Sequence, residues 1–227
     1  MKTSLATAVL AALLTSAVAP VVALAAPATT QQVAPNSASA VVLQSGNRIM
    51  TTLESRRAEF KGNPAALKAY VKSEFNRYFD AEYSARLVLG VHGRSASKAE
   101  VTDFAAAMAD NLTARYGSVL LEFDTRMRFK VLSETALPGN RGVRVSTQML
   151  RAGSKTPIPV DYLVRNVGGQ WKVFDVMVEG ISYVQAFKNQ FAAALNQKSI
   201  REVTADLRAG HLNAGNGKGS NGKGGSR

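Results

Sequence analysis

The stretch FDTRMRFKV, Phe123 to Val131, changes the period of the chain. Phe123, Thr125, Met127, Phe129 and Val131 alternate with Asp124, Arg126, Arg128 and Lys130. Successive strand side chains point to opposite faces, so this pattern predicts a half-buried β-strand. Everything before it in the ordered part of the chain repeats at helical spacing, and so does everything after the next three strands.

Downstream, Pro138-Gly139-Asn140 reads as a turn. Val143, Val145, Thr147 and Met149 then alternate with Arg144, Ser146 and Gln148. A third strand carries Val160, Tyr162 and Val164 against Asp161, Leu163 and Arg165. Pro157 and Pro159 at its start predict an edge position. Gly168-Gly169 turns into a fourth strand, Trp171 to Val178. Four strands joined by short turns read as a twisted antiparallel meander.

Upstream, Val42, Ile49, Leu53 and Phe60 recur at helical spacing. Asn63 caps a second helix with Pro64 in its first turn, and Leu67, Val71, Phe75 and Tyr78 form its apolar stripe. A short segment from Asp80 to Leu89 ends at Gly90. Ser97 and Glu100 make a capping box for a long helix bearing Val101, Phe104, Met108, Leu112, Tyr116 and Val119 on one face. After the strands, Ile181, Val184, Phe187, Phe191 and Leu195 form another stripe. Ser199 and Glu202 open a last helix, which carries Val203 and Leu207 and ends at Gly210. Helices, a meander and helices again predict an α+β domain over residues 41–210. Long helices laid across one face of a twisted sheet can leave a pocket between the layers.

The termini read differently. Lys2 is the only charge before Arg48, Leu5 to Ala26 is almost wholly apolar, and Ala23-Leu24-Ala25 has the small-x-small form of a cleavage site. Residues 1–25 are therefore expected to be a cleaved export signal, with an uncharged spacer over 26–40 and a Gly/Asn/Lys tail over 211–227. No second long apolar run follows, so the mature chain is not expected to be an integral membrane protein. It holds no Cys, so the fold relies on its core without disulfides. The formal charge of +12 falls to +11 once Lys2 leaves with the signal. In an exported chain that charge points to anionic headgroups and acidic protein surfaces rather than to nucleic acid.

Signs of catalysis are sparse. No thiol is available, and the two histidines, His92 and His211, fall in expected loop and post-helix positions, which leaves no metal site. The tail nearly spells a phosphate loop with Gly217, Gly222 and Lys223, but Gly224 stands where Ser or Thr is needed. Asp161 and Asp175 are the carboxylates that could enter a pocket; pairing with Arg or Lys on neighbouring strands is the plainer reading. Arg126, Arg128 and Lys130, with Arg144 on the next strand, form either a solvated face or a basic docking surface.

Four blocks resemble a known family. They are YSARLVLG (Tyr83–Gly90), FAAAMADNLTARY (Phe104–Tyr116), WKVFDVMVEGIS (Trp171–Ser182) and YVQAFKNQFAAAL (Tyr183–Leu195). In this order, over about residues 40–209, they are similar to the toluene-tolerance (Tgt2/MlaC) family of periplasmic phospholipid-binding proteins. The resemblance implies an NTF2-like sheet whose helices enclose an apolar lipid cavity. It implies a monomer of the periplasm that needs no cofactor. It also implies exchange of phospholipid with an inner-membrane ABC transporter bearing an MCE-domain ring and with an outer-membrane lipoprotein–porin complex. On that reading Leu87, Leu89, Phe104, Met108, Met127, Met149, Tyr162, Phe174 and Val178 are candidates for the cavity wall, and a bulky or charged residue at Met108 or Met149 should empty a folded protein of lipid. The alternatives are a carrier of hopanoid or another lipid, a small isomerase- or dehydratase-like enzyme using Asp161, Asp175 and His92, and a docking module without a cavity.

Overall fold

The structure, a computed structural model, describes residues 34–116, 128–150 and 156–212. The expected signal segment, most of the spacer, the tail and the first half of the leading strand, Phe123–Met127 with Arg126, lie outside the described residues.

The chain opens with α1 (Ala38–Ser55), capped when the Ser37 hydroxyl accepts from the Ala40 N–H at 3.1 Å. Its start lies before the expected domain boundary at 41, and Ala38 is fully buried. A non-helical residue, Arg56, divides it from α2 (Arg57–Gly62). The Asn63 side chain caps α3 (Pro64–Tyr78). Next come α4 (Ala81–Leu89), the single turn α5 (His92–Ser95) and α6 (Lys98–Tyr116). The sheet consists of β1 (Arg128–Ala136), β2 (Val143–Leu150), β3 (Ile158–Val167), β4 (Gln170–Val178) and β5 (Ile181–Ser182), followed by α7 (Tyr183–Leu195) and α8 (Ile200–Arg208).

All strands pair antiparallel in chain order. The sheet has one strand more than the sequence suggests. Glu179 and Gly180, both at positive φ, form a two-residue hairpin loop that returns β5 onto the end of β4. Positive φ at both central residues matches the twist of paired strands, and a Glu there carries no sequence signal. The edge position expected for β3 is also corrected: it lies between β2 and β4. Pro159 sits at its start, opposite Gln148, where the missing N–H is tolerated while its carbonyl still accepts from Glu179.

Helices cover both faces of the sheet, not one. On the first face Ala38 and Val42 of α1 pack over Val145, Val164 and Val173, with Val131, Val143, Tyr162, Trp171 and Val176 around them. Glu134 of β1 ties this layer down by accepting from the Ser39 N–H and hydroxyl at 2.9 and 2.7 Å. A bulge in the β3–β4 register at Leu163/Val164 turns Phe174 and Asp175 toward the opposite face. There Tyr83 of α4 meets Phe174 edge-on at 5.2 Å, and the Ser84 hydroxyl donates to the Phe174 carbonyl at 2.7 Å. Beyond lies a separate helical core in which Val88, Leu89, Phe104, Met108, Phe187, Phe191 and Leu207 close on one another. The chain passes between the layers at Phe79 and Asp80, beside the open edge of β4: Phe79 bridges Val173, and the Asp80 N–H donates to the Val173 carbonyl at 2.8 Å.

Candidate functional site

Three apolar clusters rather than one make up the interior. The third, Leu53, Phe60 and Leu67 with Ile49, Tyr70 and Val71, belongs to α1, α2 and α3 alone. Between it and the sheet lies a cavity of about 240 Å³. Its walls are Val42, Ile49 and Leu53 of α1, Val71 and Phe75 of α3, then Phe79, Tyr162 and Val173. Gly46, in the middle of α1, also lines it, and a Cβ there would come into ordinary contact with the Phe129 ring at 3.5 Å. Glycine inside a helix costs roughly 1 kcal/mol relative to Ala.

Few polar groups reach this lining. The Tyr162 phenol is pushed up to about 12 because burial disfavours its charged form. Tyr162 is only half-buried by surface area, since part of its surface faces the cavity, yet protein surrounds it. The Tyr70 hydroxyl is buried without a hydrogen-bond partner. Burial raises its pKa, and the nearby Thr52 side chain acts in the other direction. Glu74 is the one charged lining residue. It is ion-paired with Arg48, whose guanidinium sits 5.1 Å from the centre of the Tyr78 ring and is held in its charged form chiefly by the hydrogen bond to Glu74. The arrangement suits an apolar guest with a polar end at the Arg48 side. Convergent acid, base and nucleophile, which an enzyme requires, are not assembled among the described lining residues.

The model of the MlaC protein family matches residues 44–209. The chain belongs to that family. It is 22% identical over 170 residues to the intermembrane phospholipid transport system binding protein MlaC of Haemophilus influenzae, covering 74% of this chain and 79% of that protein. It is 27% identical over 159 residues to the toluene tolerance protein ttg2D of Pseudomonas putida, covering 69% and 72%. A phospholipid-binding protein of Ralstonia solanacearum, solved in complex with a phospholipid, superposes with a TM-score of 0.68 at 19% identity, covering 78% of this chain and 98% of that one. At that identity the likeness is one of fold.

Within this MlaC-family fold the residues singled out from sequence divide between the two sides of the sheet. Tyr162 lines the cavity. Met149 and Val178 share its face by register but stand beyond the lining, toward the ends of β2 and β4. Leu89, Phe104 and Met108 are buried in the closed helical core, Phe174 packs on Tyr83, and Leu87 is half-buried on α4. These five lie across the sheet from the cavity, because α4, α6, α7 and α8 satisfy one another's stripes. Met127 is outside the described residues. The wall is drawn mainly from the apolar stripes of α1 and α3.

Of the basic positions, Arg128 and Lys130 are exposed together on the outer face of β1. Arg144 is near the other end of β2, opposite Thr135, and paired with Asp161 at 3.9 Å. Among the described residues Asp175 has no basic partner, and it accepts instead from Ser182 and Val184. His92 begins α5, and exposed His211 faces Asp206 at 3.7 Å. No three acidic or His side chains among the described residues are grouped to hold a metal, and no described helix is long and apolar enough to cross a membrane.

Proposed function

We propose that this chain is a periplasmic phospholipid carrier that moves lipid between the outer and inner membranes without chemistry, and so maintains outer-membrane lipid asymmetry. The observation that carries the reading is the apolar cavity between α1, α3 and the sheet in a chain of the MlaC family. Its relatives' names speak of intermembrane phospholipid transport and toluene tolerance. A diacyl lipid carries about 30 methylenes, and at ~0.8 kcal/mol each its transfer into water costs roughly 24 kcal/mol. Unassisted crossing of an aqueous compartment is therefore negligible, and a protein cavity in place of the bilayer interior offsets most of that cost.

The cavity of about 240 Å³ is smaller than the roughly 300–1,000 Å³ of pockets that enclose drug-sized ligands. Holding two acyl chains requires α3 to move outward from the sheet. The cluster it shares with α1 and α2 is separate from the helical core. Release then follows from docking to a membrane complex, since lipid left in water has no better place to go. An inner-membrane ABC transporter with an MCE-domain ring and an outer-membrane lipoprotein–porin complex are the partners this reading assigns, with exposed Arg128 and Lys130 as the docking candidates.

The test is mass spectrometry of lipid extracted from the mature, detergent-free protein. Stoichiometric diacyl phospholipid is expected. A hopanoid would keep the carrier and change its cargo; folded protein that takes up no lipid, even from vesicles, would overturn the reading.

A further inference from the structure

Glu74 is an expensive residue in its position. Its side chain is 13% exposed in a lining otherwise free of charge among the described residues, while its partner Arg48 is 38% exposed. The pair thus runs from the cavity wall to the surface, with the cation outermost. The Tyr78 ring, itself part of the lining, lies beneath the guanidinium. A buried carboxylate that served packing alone would be better replaced by an apolar side chain of similar size. A guanidinium at a cavity rim has a further use, because its planar fork of donors fits a phosphate as well as a carboxylate.

We propose that Arg48 is the contact for the phosphodiester of the bound lipid, and that Glu74 is a resident counter-ion which holds the guanidinium in place and yields it when the phosphate arrives. This rests on the carrier reading. With acyl chains between α1 and α3, the first polar group of the lipid emerges where Arg48 reaches solvent. The cation is already oriented by Tyr78 and Glu74, so little side-chain freedom remains to be lost on binding. Once the phosphate has taken Arg48, the Glu74 carboxylate loses its counter-ion beside a second anion. That repulsion limits affinity and leaves the cargo releasable.

The experiment loads the protein from vesicles containing equal parts dioleoylphosphatidylglycerol and dioleoylglycerol, which share acyl chains and differ in the phosphate. The ratio of the two in the repurified protein is read by mass spectrometry. A charge-assisted hydrogen bond is worth about 1.5–3 kcal/mol, so Arg48→Ala is expected to lower the phospholipid-to-diacylglycerol ratio by roughly 10- to 100-fold. Glu74→Gln is expected to raise it severalfold. The double variant Arg48→Ala/Glu74→Gln leaves no unpaired charge in the wall, so it checks the Arg48 effect free of any folding defect; its ratio should still fall below that of the wild type, by less than in Arg48→Ala because the Glu74 repulsion is gone as well. A ratio unchanged in the folded double variant overturns the assignment and leaves the carrier standing. Wild-type protein that takes up neither lipid overturns the carrier reading and this one with it.

Discussion

The Asp175 carboxyl group accepts from the Ser182 hydroxyl at 2.5 Å and, through its other oxygen, from the Val184 N–H at 3.0 Å. Ser182 in turn caps α7 by accepting from the Gln185 N–H. A buried acid on β4 therefore fixes the first turn of the next helix, and one of the two carboxylates that could have entered a pocket is a structural clasp. Asp175→Ala strands two donors, at about 1–3 kcal/mol for an unsatisfied buried group. At roughly 2–4 °C per kcal/mol for a domain of this size, a melting temperature lower by about 5–10 °C is expected. Calorimetry measures that shift, and lipid content should be unchanged. Loss of lipid at unchanged stability would place Asp175 in binding after all.

The division of apolar residues between two cores separates two kinds of variant. Val71 lines the cavity and is half-buried, so Val71→Trp should fold and carry at least fivefold less co-purifying lipid. Met108 is 5% exposed inside the helical core. Met108→Glu buries a charge without a partner and should cost more than about 3 kcal/mol, abolishing folded yield instead of emptying a folded protein. Circular dichroism and lipid phosphorus on both variants decide; a well-folded, lipid-free Met108→Glu protein would put the cavity on the wrong side of the sheet.

Acid should loosen the helix starts. Glu100 and Glu202 each close a capping box, and their pKa values are held below the usual 4.5 by hydrogen bonds from the Ser97 and Ser199 hydroxyls and backbone N–H groups. A lowered folded-state pKa contributes stability that is complete above the unfolded value near 4.5 and is lost as pH falls through the folded one. Thermal melting between pH 7 and pH 3 should show a decline confined to the acid side, shallower in a Glu100→Gln/Glu202→Gln protein. Equal slopes would remove the caps from the account.

In base the sign reverses. The Tyr162 phenol is raised from 10 to about 12 by burial. Its contribution is complete below the unfolded value of 10 and disappears as pH rises through 12. Ultraviolet titration of the tyrosines should contain a late step near pH 12 that Tyr162→Phe removes. A titration of the wild type that is finished well before pH 12 would mean that water reaches this part of the cavity.

Most of the element boundaries were legible because local chemistry sets them. The strand alternation after Phe129, the Asn63–Pro64 start, the stop at Gly90 and the two Ser/Glu boxes need only neighbours in the chain. What stayed hidden depends on non-local geometry. The β3–β4 bulge sends Phe174 to the far face though it sits within an alternating strand, and β5 exists only because Glu179 accepts a positive φ. The cavity is the clearest case. Val42, Ile49, Leu53, Val71 and Phe75 stand out as helical stripes, and a stripe reads alike whether it meets a partner or a void. Gly46 is the one local hint, a helix-interior residue with no propensity reason to be there. Arg48 and Glu74 are 26 residues apart, so only the fold brings them together.

On the carrier reading, the apolar side chains lining the cavity of about 240 Å³ have no packing partner on that side until lipid fills it. Apolar surface is worth roughly 25 cal/mol per Å² removed from water, and a ligand that binds only the folded state adds to its stability. The passenger thus completes the vehicle. A loaded molecule then resists unfolding better than an unloaded one, so proteolysis would fall first on copies that have delivered and not reloaded. Lifetime and traffic are coupled through a single gap between two helices and a sheet.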